Sequence, residues 1–350
     1  MSIATSKPVL VTGITGYVAA WVALSLLQKG YSVRGTVRSQ AKADGFAKLS
    51  HFEKYVKDGK LTFTIIEDVA TSDFSEALKD VEAVLHTASP FHLGGGDPEE
   101  TYLKPAIDGT LNVVKAAHNA GTIKNLVITS SFAAVLSLDD PKLPFNGKVY
   151  TEADWNNCTF EQARTTDIPA FAYSASKKLA EKAAFDYQKE HNLEGKMHFA
   201  ALNPPMVMGP AIQPLDKLDN LGESAGQVWK LVSGQWDKEI PPTGFPLFVD
   251  VRDLGEAHVL AMEKNIQGRV GVSGGNYDNQ SILDLAHAKF PDECKATKGT
   301  PGSSKKDDPA VFKIDTTKAQ KELGIKFRGH DETFTDAIRQ LYDDRAAGKA

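Results

Sequence analysis

The chain has 350 residues, 41% hydrophobic and 24% charged, the make-up of a globular protein and not of a disordered one. A net charge of −5 leaves no basic footprint for nucleic acid and no polybasic signal for an anionic membrane surface. Two cysteines, Cys158 and Cys294, are too few for a disulfide framework or a thiolate-rich metal site, so no metal is expected, and the absence of a secretory leader or a long apolar run points to the cytoplasm.

Short apolar runs alternate with amphipathic stretches through the first 200 residues. Residues 9–12 read as a strand, 17–29 as a helix and 31–37 as the next strand. Further strands follow at 61–66, 83–86, 126–129 and 198–202, with helices at 103–119 and 173–191. After Asn203 the texture changes, because Pro204, Pro205, Gly209, Pro210 and Pro214 interrupt regular structure. Helices are expected at 224–232, 253–264, 318–323 and 333–347, and a strand at 269–273. Gly94–Gly96 and residues 297–308 read as mobile loops. The pattern predicts an α/β fold, a Rossmann-type doubly wound parallel sheet with a smaller, mostly C-terminal α/β substrate domain. The expected boundaries are residues 1–204 with 253–273 for the dinucleotide-binding domain, and 205–252 with 274–350 for the substrate domain.

The first strand runs into Gly13-Ile14-Thr15-Gly16-Tyr17-Val18-Ala19 and then a helix. Gly13 permits the tight turn, Gly16 lets backbone approach a pyrophosphate, and Ala19 allows close helix packing. The helix start offers free N–H groups to the diphosphate, so Gly13, Thr15, Gly16, Tyr17 and Val18 are cofactor candidates. A site for NAD would place an acid about 20 residues on, at the end of the second strand. Here Arg38 stands there, with Lys42 a turn later, and two cations suit a 2′-phosphate. NADP(H) is therefore the expected cofactor. Arg34 alternates with Val33 and is read as facing solvent. Asp68, followed by Val69, could accept from the adenine amino group or cap a turn. Thr87, Ala88 and Ser89 close the fourth strand, where small residues let a cofactor pass.

Tyr173 and Lys177 are four apart on a helical pattern, so they share a face. A neighbouring ammonium is expected to lower the phenol pKa and let Tyr173 move a proton near neutrality. The preceding strand ends in Thr129-Ser130-Ser131, at the strand edge where open parallel sheets bind ligands, and a serine hydroxyl there could hold a substrate oxygen.

The combination Thr12-Gly13-x-x-Gly16-Tyr17-Val18-Ala19, Thr129-Ser130-Ser131 and Tyr173-x-x-x-Lys177 resembles an extended short-chain dehydrogenase/reductase. The finer likeness is to the dihydroflavonol-reductase-like branch, with fungal methylglyoxal/isovaleraldehyde reductases and yeast-type carbonyl reductases nearest. Val84 to Phe91, Asn203 to Pro210, Asp250-Val251-Arg252-Asp253 and Lys318-Ala319-x-x-Glu322-Leu323-Gly324 resemble further segments of that branch, so the likeness spans nearly the whole chain. It implies that Ser131 binds the carbonyl oxygen, Tyr173 donates the proton, and Lys177 binds the nicotinamide ribose and tunes Tyr173. It further implies that Thr129, Pro204 and Val207 lie along the cofactor and that Arg38 and Lys42 take its 2′-phosphate. The flank Ala170-Phe171-Ala172 lacks the longer motif of plant cinnamoyl-CoA reductases, which counts against that activity. Residues 138–167 vary between branches.

Phe91, Phe132, Met206, Trp229 and Phe245 are the candidates for an apolar substrate pocket. The expected activity is NADPH-dependent reduction of a small aldehyde or ketone by a monomer or homodimer. The alternatives are a nucleotide-sugar epimerase or dehydratase of the same fold, with NAD held permanently, and a non-catalytic NADP-binding redox sensor. Arg38 weighs against the first, and the complete Ser131, Tyr173 and Lys177 set against the second. Arg252 is assigned to its own turn with Asp250 and Asp253.

Overall fold

The computed structural model describes residues 7–89, 96–236 and 239–349. The first half alternates β1 (Pro8–Thr12), α1 (Tyr17–Gln28), β2 (Ser32–Val37), α2 (Gln40–Ala47), α3 (Glu53–Lys57), β3 (Leu61–Ile65), β4 (Ala83–His86), α4 (Lys104–Ala120) and β5 (Asn125–Thr129). It continues through β6 (Val149–Tyr150), α5 (Phe160–Arg164), α6 (Pro169–Glu190) and β7 (His198–Asn203). Beyond these lie β8 (Met206–Met208), α7 (Glu223–Val232), β9 (Leu247–Asp250), α8 (Val251–Glu263), β10 (Gly268–Gly271), β11 (Gly275–Asn276), α9 (Asn279–Lys289), β12 (Lys313–Ile314) and α10 (His330–Ala346).

Seven parallel strands form the main sheet in the order β3-β2-β1-β4-β5-β7-β10. The order reverses direction between β1 and β4, the switch point where a doubly wound sheet opens a crevice at its strand C-termini. The strands are apolar on both faces because helices cover both. Ala19, Ala20 and Ala23 of α1 and Leu254, Ala257 and Ala261 of α8 pack on one face. Val113, Val114 and Ala117 of α4 and Ala184 of α6 pack on the other. Helices α1 and α8 lie close because Gly255 faces the α1 backbone: a Cβ there would meet the Trp21 carbonyl at 3.0 Å.

A separate apolar core gathers Met208, Val228, Trp229, Phe248, Tyr277, Ile282, Phe334 and Ile338 from β8, α7, β9, α9 and α10. Its three-stranded sheet runs β11-β9-β8. The proline-rich stretch after Asn203 is therefore not all loop, since Met206–Met208 pairs in parallel with β9. Periodicity could not reveal so short a strand. Ala319, Leu323 and Ile325 from the late part of the chain pack into the core under the main sheet, and β12 pairs with β6.

Three other expectations need correction. Helix α6 starts at Pro169, one turn before Tyr173, with proline at the position where its missing N–H costs nothing. Residues 297–308 are tied to α9: Thr300 N donates to Gln280 Oε1 (3.0 Å), Gly302 N to Asp284 Oδ2 (3.1 Å) and Ser304 Oγ to Asp278 Oδ2 (3.0 Å). Arg34 does not simply face solvent, because its Nη1 donates to the carbonyls of Glu76, Ala77 and Lys79. The glycine patch at 94–96 lies largely outside the described residues.

Candidate active site

The glycine turn is shaped by its neighbours on β2 and β4. Gly13 has φ +66°, a conformation that disfavours a side chain, and an added Cβ would stand 3.0 Å from the Ala88 Cβ. Gly13 N donates to Thr36 Oγ1 (2.8 Å), and Ile14 N to the Thr36 carbonyl (3.1 Å), so β2 holds the turn in place. Thr12 supplies the other clamp: its buried hydroxyl oxygen accepts from Thr87 N and Ala88 N, both at 3.0 Å. With both lone pairs used, its proton goes to His86 Nδ1 at 2.8 Å. His86 is therefore a neutral imidazole protonated on Nε2, and burial holds its pKa down to about 4.

Gly16 precedes α1 with extended backbone and no side chain caps that helix start, so its first N–H groups have no partner from a capping residue. Thr15 and Val18 are half-buried beside it. Tyr17 has a different side-chain task from the one expected: its hydroxyl donates to the Gly209 carbonyl (2.6 Å) and straps α1 to the chain beyond β8. Trp21 Nε1 adds a second strap to the Pro210 carbonyl (2.8 Å). At the end of β2, Arg38 and the side chain of Lys42 are exposed and have no side-chain hydrogen bond or ion pair among the described residues. Asp68 works as a turn cap, accepting from Ala70 N (2.9 Å) and Thr71 Oγ1 (3.2 Å), and remains exposed. The Val69 carbonyl accepts from Asn112 Nδ2 (2.9 Å).

The three reactive-type side chains come together. Ser131 follows β5 and caps the short turn of Phe132–Ala134, its Oγ accepting from Ala133 N at 3.1 Å. That same hydroxyl is hydrogen-bonded to the Tyr173 phenol. The Lys177 ammonium sits 5.4 Å from the Tyr173 ring centre and donates to Ser89 Oγ (2.5 Å). Burial pushes the Tyr173 phenol up to about 12, against the pull of the Ser131 hydrogen bond, and brings Lys177 down to about 8. This differs from the sequence-based expectation. Desolvation outweighs the charge of the lysine, so Tyr173 holds its proton at neutral pH. Thr129 lies one turn of chain before Ser131, and its hydroxyl donates to His258 Nε2 (2.7 Å), since His258 Nδ1 donates to the Leu254 carbonyl (2.8 Å). Pro204 is buried and Val207 half-buried just beyond β7, and the Pro204 carbonyl accepts from Phe132 N (2.8 Å).

A model of the NAD-dependent epimerase/dehydratase family matches residues 9–273, the stretch that carries the glycine turn, Ser131, Tyr173 and Lys177. The chain belongs to this family. An NADPH-dependent methylglyoxal reductase of Saccharomyces cerevisiae is 32% identical, with 95% of this chain and 97% of that one covered. A Schizosaccharomyces pombe chain named as an oxidoreductase is 42% identical over 97% of this chain and 98% of its own length. The yeast methylglyoxal/isovaleraldehyde reductase solved with NADPH superposes with a TM-score of 0.86 at 31% identity, covering 98% of this chain and 100% of that one.

Within this family member, the residues named for an apolar pocket divide. Phe132 has no exposed surface: it packs with Tyr150, Phe245 and Phe312 at ring distances of 5.5–5.9 Å. Trp229 is buried in the C-terminal core. Both therefore back the site and do not line it. Met206 and Phe245 remain half-exposed, and Phe91 lies outside the described residues. A cavity of about 490 Å³ opens elsewhere, lined by Ser273, Asn276, Lys313 and Phe327 and by none of the three reactive residues. Arg252 binds Asp250 as expected (Nη2 to Oδ2, 2.7 Å) but reaches Asp336 of α10 with its other arm, while Asp253 pairs with Arg328.

Residues that sequence reasoning missed are the supports: Thr12, Thr36, His86, His258, Glu181, Asn203 and Arg269. Only Glu181 had a local signal, since it lies four residues after Lys177 on the same helix. Among the described residues no group of three His, Cys, Asp or Glu could hold a metal, and no helix is long and apolar enough to cross a membrane.

Proposed function

We infer that the protein is an NADPH-dependent carbonyl reductase that turns an aldehyde or ketone into an alcohol. The observation that carries this reading is the convergence of the Ser131 and Tyr173 hydroxyls beside a buried Lys177, next to the glycine turn. The chain fits the cofactor on its own terms. Gly13 and Ala88 leave a cradle that a Cβ would fill, the start of α1 lacks a capping side chain, and Arg38 and Lys42 have no other side-chain partner at the ribose end. The backbone of Gly13, Thr15, Gly16, Tyr17 and Val18 would hold the diphosphate, and Arg38 and Lys42 the 2′-phosphate. Asp68 and Val69 would flank the adenine, and Thr87, Ala88, Ser89, Thr129, Pro204 and Val207 the nicotinamide half. When bound, NADPH supplies the hydride.

The protein's own groups do the rest. Ser131, oriented by Ala133 N, and Tyr173 together present two O–H donors to a carbonyl oxygen. Tyr173, protonated at neutral pH, gives its proton to the developing alkoxide. The Lys177 ammonium, held by Ser89, then stabilises the phenolate left behind and holds the ribose. The names of the relatives point to small aliphatic aldehydes and 2-oxoaldehydes as the substrate class. We assign residues 1–204 with 253–273 to cofactor binding and 205–252 with 274–350 to the substrate side, and place the protein in the cytoplasm as a monomer or homodimer.

The test is Tyr173→Phe assayed with methylglyoxal and isovaleraldehyde. It should abolish NADPH oxidation while NADPH still binds with parental affinity. Near-normal turnover in this variant would overturn the assignment.

A further inference from the structure

We propose that Glu181 is a positioning residue for the reduction, holding the Tyr173 helix and the Ser131 strand end at their working separation together with Arg269. The inference rests on the reading of Ser131, Tyr173 and Lys177 given above. Glu181 lies four residues after Lys177 and eight after Tyr173 on α6, so the three share a broad face of the helix. Its side chain is 1% exposed. The carboxylate accepts from Ser130 Oγ, from Asn203 Nδ2 (2.8 Å) and from Arg269 Nε (2.5 Å). These donors stand at the ends of β5, β7 and β10, three consecutive strands of the main sheet. One carboxylate thus pins the helix that carries the phenol to the strand edge that carries the serine.

Each partner of Glu181 also grips the backbone around Ser131. Ser130 is its chain neighbour. The second amide proton of Asn203 goes to the Ser131 carbonyl (3.2 Å). Arg269 Nη2 donates to the Ala134 carbonyl (3.3 Å), and Ala134 N in turn to the Ser131 carbonyl (3.0 Å). Arg269 Nη1 reaches the Glu152 (2.9 Å) and Asp154 carbonyls, and its guanidinium stacks 3.7 Å from the Trp155 ring. The arrangement is costly. A buried carboxylate and guanidinium give up much hydration, and apolar residues of the same volume commonly serve stability as well. Asn203 leaves its own Oδ1 buried without a partner in order to aim both amide protons at Glu181 and Ser131. Such cost concentrates where geometry matters more than stability. Glu181 accepts from Ser130 and not from the serine that meets Tyr173, so it acts through its partners.

Two variants of the full chain test this, with Tyr173→Phe alongside. Glu181→Gln removes the charge and one acceptor, and Ser130→Ala removes a single strut while leaving the Glu181–Arg269 pair intact. With methylglyoxal as substrate, turnover is scaled to the fraction of chain that binds NADPH. Both variants should lose about 10- to 100-fold in kcat, the scale of a small misplacement of reacting groups. The carbonyl KM and the NADPH Kd should stay within about twofold of the parent. A kcat loss under fivefold, or a loss matched by weaker NADPH binding, overturns the proposal. If Glu181→Gln fails to fold, Ser130→Ala alone decides by the same limits. An inert Tyr173→Phe beside unaffected Glu181 and Ser130 variants would remove only this inference, whereas an active Tyr173→Phe would remove the reading on which it stands.

Discussion

Replacing Arg38 with alanine isolates the cofactor preference from the fold. Arg38 follows β2, is exposed, and makes no side-chain hydrogen bond or ion pair among the described residues. Its loss should therefore change folding stability by no more than about 0.5 kcal/mol. The whole effect should fall on the 2′-phosphate. Hydrogen bonds to a charged group are worth about 1.5–3 kcal/mol, or roughly 10- to 100-fold in affinity. NADH carries a hydroxyl at that position and gains nothing from the guanidinium. The ratio of NADPH to NADH specificity should then fall by that factor, with Lys42, one turn into α2, retaining part of the preference as a point charge. Because both cations are exposed, the parental preference should also shrink as salt rises. The assay is parallel titration of NADPH and NADH at saturating carbonyl, with a thermal melt as control. Equal weakening toward both cofactors, or no change toward either, would refute the argument.

Thr12→Val keeps shape but removes the hydroxyl that serves Thr87 N, Ala88 N and His86, and should destabilise the protein by about 2–4 kcal/mol in urea unfolding; a loss below about 1 kcal/mol would show that water replaces it. His86 and His258 are held neutral, each with a pKa of about 4 against 6.5 in the unfolded chain. The unfolded state therefore binds up to two more protons between those values, and stability should fall on acidification by about 1.4 kcal/mol per pH unit per histidine. Flat stability from pH 6.5 to 4 would contradict the buried neutral assignment. Lys177 loses its charge as pH rises through about 8, so kcat/KM for carbonyl reduction should decline with that apparent pKa, well before Tyr173 titrates; an undiminished profile to pH 10 would count against a charged Lys177 in the reaction.

Much of the site was legible in the sequence because its signals are local. A glycine that must adopt φ +66° at a strand end, a tyrosine and lysine one helical turn apart, and cations where an acid would otherwise stand each depend on neighbours within a few residues. The seven-stranded sheet was legible for the same reason, since strands buried on both faces read as uninterrupted apolar runs. The supports were not legible, because their partners are distant in the chain. Thr12 meets His86 across 74 residues, Thr129 meets His258 across 129, and Glu181 meets Arg269 across 88. Burial also reversed one local expectation. The spacing of Tyr173 and Lys177 suggested a depressed phenol pKa, yet desolvation acts on both groups and leaves the phenol protonated. The substrate side was decided almost wholly by tertiary packing. An aromatic residue carries the same local signal in a core and in a pocket wall, and only the fold put Phe132 and Trp229 into cores while leaving Met206 and Phe245 partly open. Chemistry written into adjacent residues can be read from the chain alone, whereas the placement of that chemistry rests on contacts that exist only once distant strands and helices have met.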